Sequence, residues 1–146
     1  MNNDERFMNA ALSEAGKAFG RTSPNPAVGA VLVARNRIIA RGHHRQAGKP
    51  HAEIECLRGV RGKLPKDSTL YVTLEPCSTK GRTPPCTDEI VRAGIKTVVV
   101  GATDPNPQHR GAGIELLANA GIEVRTGVLA EDCALVNETF NKWIAT

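Results

Sequence analysis

The order in which short β-branched runs and helical patterns follow one another constrains this chain more than any other feature. Ala27–Ala34 is apolar throughout and reads as a buried strand. Arg35-Asn36-Arg37 reads as a tight turn and Ile38–Arg41 as the returning strand, so the three form a hairpin. After the hairpin each strand is preceded by a helical segment. His51–Val60 precedes the strand Thr69–Leu74, Pro85–Ala93 precedes Thr97–Gly101, and Ile114–Ala120 precedes Glu123–Thr126. A hairpin is antiparallel, whereas parallel neighbours need a crossover of this kind. Asp4–Phe19 adds a first helix, with Phe7, Met8, Ala11, Leu12, Ala15 and Phe19 at helical spacing and Gly20 as its stop. Leu129–Ile144 adds a last one. The resulting order α-β-β-α-β-α-β-α-β-α predicts an α/β fold: a mixed five-stranded sheet covered by helices on both faces.

The 146 residues suit one domain, 1–146, and no linker, repeat or low-complexity run divides them. The longest apolar runs are too short to span a bilayer. The start, Met1-Asn2-Asn3-Asp4-Glu5-Arg6, lacks the apolar stretch of a secretory signal, so the expected compartment is the cytoplasm. The net charge of +4 is a mild excess. It reads first as a solvated surface; it would also suit a phosphorylated substrate or nucleic acid, but the aromatic residues are few (Phe7, Phe19, Tyr71, Phe140 and Trp143) and none sits in a basic cluster where bases could stack. Cys56 and Cys133 fall in helical patterns and read as small buried hydrophobes, whereas Cys77 and Cys86 lie beside Pro and Gly at element ends.

Those two cysteines acquire a chemical meaning together with His51 and Glu53. One imidazole and two thiolates suit zinc, and three protein ligands leave a fourth position for water, as in catalytic sites. Glu53, two residues beyond His51, is a carboxylate able to move protons on and off that water, as in zinc deaminases. Side chains two apart in a helix diverge. His51 and Glu53 can therefore converge only if His51 stands at the entry to its helix, and Pro50 sets the boundary there. Cys86 follows Thr83-Pro84-Pro85 and is expected at a helix N-terminus, where the exposed N–H groups stabilise a thiolate. The general deaminase pattern separates its cysteines by two residues; here eight intervene, Ser78–Pro85.

That insert narrows the reading. His51-Ala52-Glu53, Tyr71-Val72-Thr73-Leu74-Glu75-Pro76-Cys77, Gly81-Arg82-Thr83-Pro84-Pro85-Cys86 and Asp104-Pro105-Asn106-Pro107 resemble the deaminase domain of the bacterial bifunctional riboflavin biosynthesis proteins, over nearly the whole chain. The resemblance implies a three-layer α/β/α cytidine-deaminase-like fold. It implies one zinc ion per chain on His51, Cys77 and Cys86, with Glu53 as the catalytic acid and base. It implies a hydrolase acting on a cyclic amidine C–N bond, with 2,5-diamino-6-ribosylamino-4(3H)-pyrimidinone 5′-phosphate losing its 2-amino group as ammonia. Asn25, His44, Arg82, Asp104 and Asn106 match positions that line the substrate pocket. Their chemistry is apt, since Asn and Asp read polar ring and ribose groups and a guanidinium forks onto phosphate. His43 is read as a loop residue, and His109 is unassigned.

Two departures from the family are visible. Relatives commonly carry a histidine where this chain has Thr79, and the sequence stops at Thr146, near the junction where a reductase follows in the bifunctional proteins, as expected of either a separate deaminase or an excised domain. No Gly-rich phosphate fingerprint follows a strand, so no NADP is expected on this chain. The expected partners are the phosphorylated pyrimidine, further copies of the chain as a homodimer or larger assembly, and a separate or fused reductase; nucleic acid and membrane are not expected. Two alternatives differ in class. A deaminase of another nucleobase, nucleoside or tRNA base would have a short insert between its cysteines. A non-catalytic module keeping zinc for stability would lack Glu53 or supply a fourth protein ligand.

Overall fold

Arg35 and Asn36 both adopt positive φ, 52° and 63°. This is the backbone of the two-residue turn whose twist matches paired strands. It joins β1 (Gly29–Ala34) to β2 (Arg37–His43), with a register shift between Leu32 and Val33. The computed structural model describes residues 1–17, 27–44, 51–60, 62–78, 85–103 and 110–136. Within them β3 (Thr69–Leu74), β4 (Thr97–Ala102) and β5 (Glu123–Thr126) complete one sheet in the order β2-β1-β3-β4-β5. β1 runs antiparallel to β2 and β3, and β3, β4 and β5 are mutually parallel. The mixed sheet expected from the element order is therefore present.

The two faces divide along the strands with period two. Ala30, Leu32, Leu70, Val72, Val98 and Val100 point to one side, where they meet Ala52 and Cys56 of α2 (Ala52–Arg58), Ile90 of α3 (Cys86–Ala93) and Leu117 of α4 (Ala112–Asn119). Val31, Val33, Tyr71 and Val99 point to the other, against Phe7, Met8 and Ala11 of α1 (Asn3–Gly16) and Cys133 of a helix, α5, described from 130 to 136. Helix, sheet and helix thus make three layers. Cys56 and Cys133 are both buried, as expected of apolar fillers.

Several boundaries differ from the sequence reading, and three of the differences concern residues already singled out. α1 stops at Gly16, a poor helix residue, with Lys17 as its C-cap and Lys17 Nζ 2.6 Å from Glu14. Phe19 and Gly20 lie outside the described residues. β2 runs on to His43, paired with Gly29, so His43 is a strand residue, with Nδ1 3.7 Å from Glu14. Leu129 has φ 53° and is not helical, so α5 begins after it; residues 137–146 are outside the described part.

α1 also carries a closed ionic cluster. The Tyr71 hydroxyl donates to Asp4 Oδ1 at 2.7 Å, and Arg125 donates to both Asp4 oxygens at 3.0 and 3.1 Å. Three elements, α1, β3 and β5, are joined there. Burial works against the Asp4 carboxylate, but the bonds from Arg125 and Tyr71 outweigh it and hold its pKa below the ordinary value. Among the described residues no helix is long and apolar enough to cross a membrane.

Candidate metal centre

The first turns of α2 and α3 and the chain leaving β3 meet at the carboxyl end of the parallel strands, the edge where open α/β sheets present their sites. His51 is the N-cap of α2, still extended at φ −69° and ψ 166°, and its side chain makes no cap bond. Its imidazole is thereby free of the helical direction. This resolves the spacing problem: His51 and Glu53 face one cluster although only one residue separates them. Close packing helps place α2, since a Cβ on Gly42 would lie 2.5 Å from Ala52 O and Cys56 N.

His51 Nδ1 lies 3.1 Å from Cys86 Sγ and 3.8 Å from Cys77 Sγ, and the three ligand atoms are all within 4.8 Å of one another. Zinc–sulfur bonds of about 2.3 Å and zinc–nitrogen bonds of about 2.0 Å in a tetrahedron put ligand atoms about 3.5–3.8 Å apart. The donor set and its spacing therefore fit zinc. Glu53 is only 3% exposed and lies beside the Cys86 thiol. Burial raises its pKa, although its own backbone N–H, His51 and Cys86 oppose the rise. A carboxyl group with a raised pKa is suited to take up and release a proton near neutral pH.

Cys86 opens α3 behind Pro85, as expected, but the helix N–H groups serve the other cysteine. Cys86 N donates to Cys77 Sγ at 3.3 Å, and Thr87 N donates to Cys77 O at 3.3 Å. The Cys86 thiol, ahead of His51 and against burial, also bonds to Cys77, which pulls the Cys77 thiol down to about 4. Cys86 moves the other way: its bond to Cys77 and its burial push it up. The two shifts run in opposite directions because each thiol acts on the other; a bound metal takes both as thiolates. His51 is raised by its bond to Cys77, against burial, with Glu53 adding to the rise.

Of the five residues expected to line a substrate pocket, His44 is within the described part. It is buried, and its ring meets His51 edge-on, with centroids 5.0 Å apart. Asn25, Arg82, Asp104 and Asn106 lie outside the described residues, as does Thr79. Sequence reasoning missed Glu75 and Thr87. Glu75 is buried and accepts from Gly111 N and Gly113 N at 3.0 Å each; an acidic residue between a strand and Pro76-Cys77 was the available signal. Thr87 is buried beside Cys86, and its Oγ1 has no hydrogen-bond partner among the described residues.

A three-layer α/β/α fold that gathers one histidine, two cysteines and a buried glutamate at its helix N-termini defines a zinc-dependent deaminase. Residues 1–102 match the cytidine and deoxycytidylate deaminase zinc-binding region. The riboflavin biosynthesis protein RibD of Aquifex aeolicus is 55% identical over 97% of this chain, which spans 39% of that protein. The diaminohydroxyphosphoribosylamino-pyrimidine deaminase of Buchnera aphidicola is 40% identical over 98% of this chain and 97% of its own length. In structure, the Thermotoga maritima diaminohydroxyphosphoribosylaminopyrimidine deaminase/5-amino-6-(5-phosphoribosylamino)uracil reductase superposes with a TM-score of 0.88, at 48% identity, over 98% of this chain and 41% of that one. The chain therefore belongs to the cytidine and deoxycytidylate deaminase zinc-binding family and, within it, to the diaminohydroxyphosphoribosylaminopyrimidine deaminases.

Proposed function

We propose that this chain is a single deaminase domain that hydrolyses 2,5-diamino-6-ribosylamino-4(3H)-pyrimidinone 5′-phosphate to the 5-amino-6-ribosylamino-pyrimidinedione phosphate and ammonia, a step of riboflavin biosynthesis. One observation carries this reading: a buried carboxylate, Glu53, stands in the first turn of the helix capped by His51, whose imidazole joins Cys77 and Cys86 in a cluster of three ligand atoms spaced for zinc. His51, Cys77 and Cys86 hold the ion. When bound, zinc supplies a Lewis acid that makes water nucleophilic near neutral pH. Glu53 takes one proton of the attacking water and passes it to a ring nitrogen; it then takes the second proton from the new hydroxyl on the attacked carbon and delivers it to the departing amine, so that ammonia leaves as the carbonyl forms. The burial of Glu53 keeps bulk water from competing for these protons. His44, packed on His51, borders the place where the pyrimidine ring sits.

Asn25, Arg82, Asp104 and Asn106 supply the remaining contacts, with Arg82 on the phosphate. The compartment is the cytoplasm, where reducing conditions keep a Cys77 and Cys86 ligand pair as thiols. The chain assembles as a dimer or larger, which sedimentation at several concentrations would measure. The test of the activity is ammonia release from the ribosylaminopyrimidine phosphate, set beside cytidine and guanine. Turnover of the first alone is expected. Turnover of cytidine without the ribosylaminopyrimidine would overturn the substrate, and activity in protein without zinc would overturn the mechanism.

A further inference from the structure

We infer that Cys77 and Cys86 form a reversible disulfide, which makes the ligand pair a redox switch: oxidation removes two of the three metal ligands, and reduction restores them. The inference rests on the metal site of the proposed deaminase and not on its substrate. Backbone hydrogen bonds hold the two cysteines side by side. Cys86 N donates to Cys77 Sγ at 3.3 Å, and Thr87 N donates to Cys77 O at 3.3 Å, so the first turn of α3 is fastened to the chain leaving β3. The two sulfurs lie within 4.8 Å of each other. The Cys86 amide already reaches the Cys77 sulfur, so rotation of the two side chains is enough to bring the sulfurs to bonding distance. Both residues stand at element ends: Cys77 lies past the end of β3 at Leu74, and Cys86 is the first residue of α3.

Access to the pair is unequal. Cys77 is half-buried, whereas Cys86 is buried. Redox-sensitive cysteines combine an accessible sulfur with a neighbour that resolves its first oxidation product. Cys77 supplies the access and Cys86 the resolving sulfur. The other two cysteines do not compete, because Cys56 and Cys133 are buried in separate cores on opposite faces of the sheet. Hydrogen peroxide is the oxidant. Its O–O bond breaks, one oxygen joins the Cys77 sulfur as a sulfenic acid, and the other leaves as hydroxide. The Cys86 sulfur then attacks Cys77; the S–S bond forms as the S–O bond breaks and a second hydroxide departs. Two protons from solvent turn both hydroxides into water, so the sulfurs lose two electrons and the peroxide gains them. A metal ligand must be a thiolate, so only His51 is left to hold the ion and the site empties.

The test treats the zinc-loaded full chain with hydrogen peroxide. Three quantities are followed: zinc released to a chromophoric chelator, cysteine linkages by peptide mass mapping, and ammonia release before and after dithiothreitol with added zinc. The expected result is one zinc released per Cys77–Cys86 disulfide, with Cys56 and Cys133 still open to alkylation after denaturation. Activity is expected to fall with the zinc and to return under dithiothreitol and zinc. Dimedone added during oxidation is expected to intercept Cys77, and an adduct on Cys86 instead would overturn the assigned order. Zinc and both thiols retained under excess peroxide would overturn the switch. So would zinc released without that disulfide, a bridge through Cys56 or Cys133, or a loss that dithiothreitol and zinc do not reverse. A wild type without turnover would overturn the substrate reading instead, and the zinc and linkage readouts would still decide whether the switch exists.

Discussion

Two clusters of ionisable side chains sit at different places in this molecule and are built on different logic. The Asp4, Tyr71 and Arg125 cluster is closed: the carboxylate accepts three hydrogen bonds, from a phenol and a guanidinium. The His51, Glu53, Cys77 and Cys86 cluster is not. Its imidazole, two thiols and carboxyl group are packed together with His51 and Glu53 raised, Cys77 lowered and Cys86 raised. A protein does not gain stability by crowding such groups without a cation. The first arrangement serves the fold and the second chemistry, and substitutions in the two should therefore separate stability from activity.

The largest effect is expected at Cys86. Cys86→Ala should abolish zinc binding and activity together, measured by metal analysis and ammonia release, and chelation of the wild type should reproduce the loss of activity. Next comes Tyr71→Phe. It removes one bond to Asp4 and should lower stability by about 1 kcal/mol in urea unfolding, leaving kcat unchanged. A fall in kcat there would erase the distinction between the clusters. The smallest effect concerns acid. A carboxyl group whose pKa is depressed in the folded state stabilises it above the ordinary value of 3.8, and that contribution is lost as pH falls through the folded value. Asp4→Asn should accordingly be less stable than wild type at neutral pH, and the gap should close below about pH 4 in urea midpoints.

Much of this was legible in the sequence because it is local. Alternation along Leu70-Tyr71-Val72 and Val98-Val99-Val100 assigns strand faces directly, and the turn at Arg35-Asn36 announces the hairpin. The ligand set was readable because Pro50, Pro76 and Pro85 punctuate the chain beside each ligand. What escaped depends on partners far away in sequence. That the α3 N–H groups serve Cys77 rather than Cys86 depends on a contact across nine residues, and the role of Glu75 on contacts across 36 and 38. Helix periodicity continues past Gly16 in the sequence, yet α1 ends there, since apolar spacing does not register the low helix propensity of that glycine. His43, beside His44, reads as a loop residue, yet Gly42 and His43 continue β2, and that glycine is the place where α2 comes close.

The central claim is that Glu53 carries protons at a zinc site whose ligands do not need it. Steady-state ammonia release from the ribosylaminopyrimidine phosphate by zinc-loaded Glu53→Gln measures this most directly. The expected outcome is one zinc per chain, unfolding close to wild type, and kcat lower by about 10²–10⁴-fold, the usual contribution of a general acid–base group. A zinc-loaded variant that turns over as fast as wild type would contradict the account.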